Sequence, residues 1–166
     1  MMVKNDWTLL PASQAEIDQV RADCRRLVRR RAVISAGVAA VPLPGVDVIS
    51  DLGLFTRLID DVNRAFGLSP AQIERMRPEL RLVTYEAVVS LGGMLVGKVI
   101  TREVVAAVLK RSGGRMLAKQ AGKVVPIAGQ VASATIGFFA FRQIGYQHVE
   151  ACAQVARQVL ATAGAK

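Results

Sequence analysis

Residues 41–45 read VPLPG and residues 125–129 read VPIAG, and each stretch stands between a basic, helix-like segment and a long apolar one. Proline lacks the amide that a helix interior needs, and glycine adopts backbone angles that other residues avoid. Each stretch therefore predicts a tight turn between two helices, an αα-hairpin with mostly apolar arms. The predicted turn residues are Pro42, Pro44, Gly45, Pro126 and Gly129.

The likeness between the two stretches extends beyond the turns themselves. At one constant offset, identical residues recur in the two halves of the chain. The matched residues are Arg31, Val41, Pro42, Gly45, Gly53 and Phe55 in the first copy, and Arg115, Val125, Pro126, Gly129, Gly137 and Phe139 in the second. This shared register predicts an approximate internal repeat of two hairpins.

Helix signals also cover the rest of the chain. Ser13 to Glu16 forms a capping-box pattern, which predicts a helix that runs to about Ala40. A second helix is expected to begin near Asp47 and to end at Gly67, and Ser69-Pro70 predicts the start of a short third helix. The later expectations are a helix from Glu79 to about Val99, a helix capped by Thr101 and closed by Gly113 and Gly114, and a last helix from about Gln130 to Ala161.

Strand signals are weak throughout the chain. Short β-branched clusters occur, but no sustained apolar alternation and no hairpin dipeptide accompanies them. The chain has 166 residues, the size of one domain, and contains no linker or low-complexity tract. The sequence therefore predicts an all-α fold, a single-domain helical bundle over residues 13–166 that follows an N-terminal tail over residues 1–12.

The composition combines high apolar content with a strong positive charge. Apolar residues make up 52% of the chain and the mean hydropathy is +0.33, yet the net charge is +9 and the pI about 10.4. A concentrated basic surface favours polyanions, and an anionic membrane surface is the expected partner. The candidate lipid-binding residues are Arg21, Arg25, Arg26, Arg29, Arg30, Arg31, Lys119 and Lys123. The alternative is that these side chains form an ordinary solvated helix face.

Nucleic acid is a less favoured partner, since aromatic residues make up only 5% of the chain and none interleaves with the arginines. Two cysteines without motif spacing indicate free, buried thiols in a reducing compartment. The N-terminus lacks an apolar signal core, so secretion is not expected.

The uncharged run over residues 124–141 is long enough to suggest a membrane span, but Pro126 and Gly129 interrupt its start. The expected localisation is cytoplasmic, with the chain peripheral to the inner face of the membrane or inserted there by its hairpins.

Catalytic chemistry finds little support in the sequence. Residues 92–99 match a phosphate-binding loop as far as Lys98, but Val99 stands where a hydroxyl side chain should bind magnesium, and no strand precedes the match. Close helix packing at Gly93 and Gly97 explains these glycines better. His148, the single histidine, falls on an apolar stripe and is expected in the core. We expect no enzymatic activity, no cofactor and no metal site.

Asp47 and Asp51 lie one turn apart at the start of the second predicted helix. A cation or a proton shared between the two carboxylates is one interpretation. The interpretation that we favour is stabilisation of the helix start, where the helix dipole attracts negative charge.

Residues 42–68, PLPGVDVISDLGLFTRLIDDVNRAFGL, resemble the helical domain that follows the GTPase domain in immunity-related GTPases. They are also similar to a bacterial domain of unknown function that occurs alone or beside GTPase domains in membrane-associated proteins. The shared features are the proline-glycine turn, the aspartate-bearing amphipathic helix and the closing Phe66-Gly67-Leu68. Residues 123–130 look like the second turn of that family.

The resemblance implies membrane association through helical hairpins and coupling to a GTPase, with no catalytic residues in this part. Because the chain lacks a complete phosphate-binding loop, the GTPase would be a separate partner protein. The expected function is therefore that of a non-enzymatic, membrane-associated helical module. The alternative is a soluble interaction adaptor or regulatory helical domain, and self-association of the chain stays open.

Overall fold

The computed structural model describes residues 10–39, 47–91, 95–98, 101, 103–104, 107, 111 and 129–164. Among these residues the helices with described bounds are α1 (Gln14–Ala39), α2 (Asp47–Ala65), α3 (Pro70–Glu74), α4 (Pro78–Ser90) and α5 (Gly129–Gly164), and residues 103–104, 107 and 111 are also helical. These ranges contain no strand, which confirms the predicted all-α fold. The predicted turn residues Pro42, Pro44, Gly45 and Pro126, like Lys119 and Lys123, lie outside the described residues, whereas Gly129 is the first residue of α5.

The start of α1 follows the predicted capping pattern with one difference. The Ser13 hydroxyl oxygen accepts a hydrogen bond from the Glu16 amide at 3.2 Å, as a helix-capping serine should. The Glu16 carboxylate accepts from the Ala12 amide at 2.7 Å rather than from the amide of Ser13. Two amides at the start of the helix are thereby satisfied, and the prediction of a helix start here is confirmed.

The end of α2 is set by Gly67, as predicted. Gly67 has a φ of 72°, a left-handed conformation that glycine adopts without steric cost. The Leu68 amide donates to the Asn63 carbonyl at 2.8 Å, and the Gly67 amide donates to the Arg64 carbonyl at 3.1 Å. This pair of hydrogen bonds is the Schellman motif, which satisfies carbonyls that a helix end leaves open. Phe66 and Leu68 on either side of the glycine are fully buried.

The short helix α3 begins after Ser69, as predicted. Both the amide and the hydroxyl of Ser69 donate to the Gln72 side-chain oxygen, at 3.1 and 2.6 Å. Pro70 and Pro78 occupy the first positions of α3 and α4, where a missing amide leaves no hydrogen bond unmade.

The end of α4 corrects one sequence prediction. We expected this helix to continue to about Val99 with Gly97 in a helix-packing ridge, but α4 ends at Ser90 and Gly97 lies in a turn. Gly97 has a φ of 68°, which a helix does not allow. Because α4 ends before them, Leu95 and Val96 can be buried in the core. The Leu95 carbonyl accepts a hydrogen bond at 3.0 Å from the side-chain amide of Asn63.

The long helix α5 is the element against which the others are arranged, since α1, α2 and α4 all pack on it. Helix α1 also packs on α2, so these two and α5 enclose most of the core. The rings of Phe55 and Phe141 meet edge to face, with 4.8 Å between their centroids. Helix α1 runs antiparallel to α5, because Asp18 pairs with Arg157 while Arg21 pairs with Glu150.

The two positions that the predicted repeat aligns behave differently in the fold. Phe55 on α2 is 1% exposed, whereas its counterpart Phe139 on α5 is 53% exposed. The sequence likeness at this pair is therefore not matched by equivalent burial, and the exposed Phe139 ring makes only the edge-to-face contact with Phe138 among the described aromatic rings.

Candidate functional site

Four of the candidate lipid-binding arginines on α1 have carboxylate partners within the bundle. Arg21 and Arg25 both bind Glu150 of α5, at 2.8 and 2.6 Å. Arg26 pairs with Asp23 on the same helix, and Arg31 pairs with Asp61 of α2. These ion pairs neutralise part of the basic surface that the sequence predicted.

The charges around Glu150 act on one another. Partial burial alone would raise the pKa of the Glu150 carboxyl, but hydrogen bonds and charge from Arg21 and Arg25 outweigh it and the pKa is lowered. The same hydrogen bond raises the pKa of Arg21. Glu150 is therefore ionised near neutral pH and holds two guanidinium groups against α5.

Arg29 and Arg30 differ from the other arginines of α1. Both are exposed, and neither makes an ion pair with any residue that the structure describes. Val33 and Ile34 follow each of them by one helical turn and are 58% and 54% exposed. Residues four apart are neighbours on a helix surface, so two arginines without an ion pair in the described part of the chain border two exposed apolar side chains.

Helix α5 continues this surface across its contact with α1. The Arg25 guanidinium lies 4.4 Å from the ring centroid of Tyr146, and that of Arg142 lies 5.5 Å from it. Arg142 is exposed and forms no ion pair within the described ranges. Phe139 precedes Tyr146 by two helical turns and therefore lies on the same face of α5.

Because α1 and α5 are antiparallel, the C-terminal part of α1 and the N-terminal part of α5 lie at the same end of the bundle. The seam surface, as we call this region, consists of three parts: Arg29 and Val33 of α1, which adjoin the contact with α5, Arg30 and Ile34, which lie further round α1, and Phe139 and Arg142 of α5. It combines guanidinium groups, which bind phosphate oxygens well, with apolar groups that water solvates poorly. Such a combination suits the interface between lipid headgroups and acyl chains.

Sequence reasoning missed four members of this surface, namely Val33, Ile34, Phe139 and Arg142. The spacing of Arg29 with Val33 and of Arg30 with Ile34 was visible, but nothing local showed that these apolar residues are uncovered. Their exposure depends on which face of α1 meets α2 and α5.

A buried polar cluster lies on the side of α5 that faces the core. The His148 Nε2 and the Asn63 Oδ1 each lie 3.5 Å from the Cys152 Sγ, and all three residues are buried. Burial lowers the pKa of His148 to about 4, although a backbone hydrogen bond with Ile59 opposes the shift. Burial also raises the pKa of the Cys152 thiol well above its ordinary value. A neutral imidazole beside a protonated thiol, both buried, fits the core position predicted for His148.

Other candidate chemistry has little support among the described residues. They contain no group of histidine, cysteine and acidic side chains that could hold a metal ion. Cys24 is free and buried, and burial raises the pKa of its thiol to about 12.

Helix α2 begins at Asp47, which puts this residue and Asp51 in its first turns. Within the same residues, none of the helices has the combination of length and hydropathy that crossing a bilayer requires.

Comparisons with protein families, with curated proteins and with solved structures find no match for this chain. We therefore base the functional proposal on the seam surface.

Proposed function

We propose that this chain is a non-enzymatic helical module that attaches peripherally to anionic membranes through the seam surface. The observation that supports the proposal is that, at the end of α1, arginines without an ion pair to a described residue lie beside exposed apolar side chains. Arg29 and Arg30 lack acidic partners among the described residues, and Val33 and Ile34 lie one turn beyond them. The proposed attachment faces this end of the bundle toward the bilayer.

The expected strength of attachment follows from the two kinds of group. Each arginine near an anionic surface contributes about 1 kcal/mol, so Arg29, Arg30 and Arg142 together contribute about 3 kcal/mol. Burying the exposed half of three apolar side chains contributes about 1 kcal/mol each, or roughly 3 kcal/mol more. Neither contribution alone holds a protein firmly on a membrane, but the two together support reversible binding.

The ion pairs to Glu150 restrict which arginines take part. Arg21 and Arg25 are held on α5 by a shared carboxylate, so moving them to lipid would leave a partly buried charge unpaired. The proposed lipid contact therefore uses Arg29 and Arg30 in preference to Arg21 and Arg25.

Liposome flotation tests the proposal directly. The wild-type chain should float with vesicles that contain anionic lipid, should stay behind with neutral vesicles, and should be released by high salt. The double variant Arg29→Glu/Arg30→Glu should lose flotation. The matched control is Arg75→Glu/Arg77→Glu, which changes the net charge equally at two exposed arginines elsewhere on the bundle.

Equal loss of flotation in both double variants would mean that net charge alone drives binding, which contradicts the proposed site. Failure of the wild-type chain to float with either vesicle type would remove the membrane proposal altogether.

The second candidate function is a soluble interaction adaptor. It is favoured by a separate exposed apolar surface on α4, where Leu82 is 60% and Val89 is 82% exposed. For either candidate, the resemblance of residues 42–68 adds a separate GTPase as partner. Recovery of a GTPase with the tagged chain from its host, in a nucleotide-dependent amount, tests that addition.

A further inference from the structure

Helix α4 exposes apolar side chains on the face that points away from the core. Leu82, Tyr85 and Val89 follow one another at spacings of three and four and are all exposed. The opposite face carries Thr84 and Ala87, which are buried. A helix that is apolar on both faces normally has a partner on both, so the outer face of α4 is suited to docking.

On one flank of this outer face the charged side chains are negative. Glu79 and Glu86 lie one turn from Leu82 on either side, are exposed, and make no ion pair with a described residue. Arg81, on the other flank, is already paired with Glu74 at 3.1 Å. We call Glu79, Leu82, Tyr85, Glu86 and Val89 the α4 stripe.

The seam surface has the complementary character on the same molecule. It presents Val33 and Ile34 beside two arginines, where the α4 stripe presents apolar side chains beside two glutamates. None of these four charged side chains pairs with a described residue. Helices α1 and α4 both pack on α5 and have no extensive contact with each other. Since both surfaces are exposed, neither covers the other within one chain.

We propose that copies of this chain associate head to tail, with the α4 stripe of one copy on the α1 part of the seam surface of the next. Apolar side chains would meet at the centre of the contact, and glutamates would meet arginines at its edge. Antiparallel pairing of two α4 stripes is less favourable, because the flank bearing Glu79 and Glu86 would face the same flank of the other copy.

A head-to-tail contact leaves one free surface of each kind at the ends of every assembly. Association then continues beyond a dimer unless the geometry closes a ring. The proposed contact shares the seam surface with the proposed membrane site, so lipid and a second copy compete for it. The contact itself does not depend on the membrane role.

A mixing experiment in the absence of lipid tests this proposal. Val89→Asp disrupts only the α4 stripe, and Val33→Asp disrupts only the seam surface. Both positions are exposed, so folding should be retained, and circular dichroism checks this. By sedimentation, the wild-type chain should form species larger than a dimer at high concentration, and each variant alone should remain at the monomer mass of 17.8 kDa.

An equimolar mixture of the two variants should form a one-to-one dimer and nothing larger. Each variant retains the surface that the other lacks, so a single contact can form. Gln154→Asp, an equal charge change at an exposed position of α5, should behave like the wild type. A mixture that stays monomeric, a wild-type chain that stays monomeric, or dimers that only Val89→Asp abolishes would each overturn the head-to-tail contact.

Flotation of the same variants separates this inference from the membrane proposal. Val89→Asp should still float with anionic vesicles, whereas Val33→Asp should lose both flotation and self-association. If flotation follows this pattern but neither the wild-type chain nor the mixture of variants self-associates, only the head-to-tail contact is wrong. If Val33→Asp floats as well as the wild type but fails to associate, the membrane site is the one that is wrong.

Discussion

At Gly145 the backbones of α1 and α5 approach more closely than any larger residue allows. A Cβ atom at this position would lie 2.7 Å from Val28 Cγ1 and 3.1 Å from Val28 Cγ2. Valine is restricted at χ1, so it cannot turn its two methyl groups away without strain. The helices would have to separate along the contact that also carries the Glu150 ion pairs.

We therefore predict that Gly145→Ala destabilises the protein. Overpacking costs about 1–3 kcal/mol, while replacing glycine by alanine in a helix returns up to about 1 kcal/mol, so a net loss of about 1–2 kcal/mol is expected. Urea denaturation followed by circular dichroism measures it.

Gly164, at the C-terminal end of α5, provides the matched control for that substitution. A Cβ added there has no atom within 4 Å, so Gly164→Ala should leave stability unchanged or slightly increased. The double variant Val28→Ala/Gly145→Ala should show a smaller loss than the sum of the single variants, because the clash is removed. Equal effects of Gly145→Ala and Gly164→Ala would contradict the packing argument.

Gly97 lies in the turn that follows α4, not within a helix. Its φ of 68° is costly for residues that carry a Cβ, and an added Cβ would lie 2.8 Å from the end of the Ile73 side chain. We predict that Gly97→Ala lowers the free energy of unfolding by about 1–2 kcal/mol, chiefly through the backbone conformation.

A second substitution at Gly97 distinguishes backbone strain from crowding. Asparagine tolerates the left-handed conformation better than alanine does, although it is larger. Gly97→Asn should therefore cost less than Gly97→Ala in the same urea measurement. A larger cost for asparagine would mean that the contact with Ile73 dominates.

The helix starts could be predicted because their causes are local. Ser13 with Glu16 and Ser69 with Gln72 place their hydrogen-bonding groups within one turn, and the hydrogen bonds are present. The end of α2 at Gly67 is equally local. The end of α4 was predicted too late, because burial of Leu95 and its bond to Asn63 depend on residues far away in sequence.

The candidate site could be predicted only in part, for the same physical reason. A run of arginines in α1 indicated a basic surface, but the acids that neutralise Arg21 and Arg31 come from α5 and α2. Which arginines remain free is decided by helix packing. Arg142 and Phe139 join Arg29 only because α1 and α5 are antiparallel.

Across the whole molecule, the bundle holds a histidine in the neutral form at its centre. His148 lies on α5, contacts Cys152 and forms a backbone hydrogen bond with Ile59 of α2. Burial lowers its pKa from 6.5 to about 4 in the folded chain. Below pH 6.5 the unfolded chain binds a proton there that the folded chain does not, so acid favours the unfolded state.

We predict that stability falls as the pH is lowered through the window between 6.5 and about 4, and that it is insensitive to His148 above that window. The slope for one proton is about 1.4 kcal/mol per pH unit, so lowering the pH from 6.5 to 5 should remove about 2 kcal/mol. Between pH 6.5 and 5 Glu150 contributes little, because its carboxyl is ionised in both the folded and the unfolded chain; its lowered pKa adds to the acid sensitivity only near and below the ordinary value of 4.5. Urea denaturation at several pH values measures the slope.

His148→Gln is the control. This variant should be less stable at neutral pH, since the substitution disturbs a packed site, but its free energy of unfolding should be nearly constant between pH 6.5 and 5. A variant that keeps the wild-type slope would show that another group binds the proton.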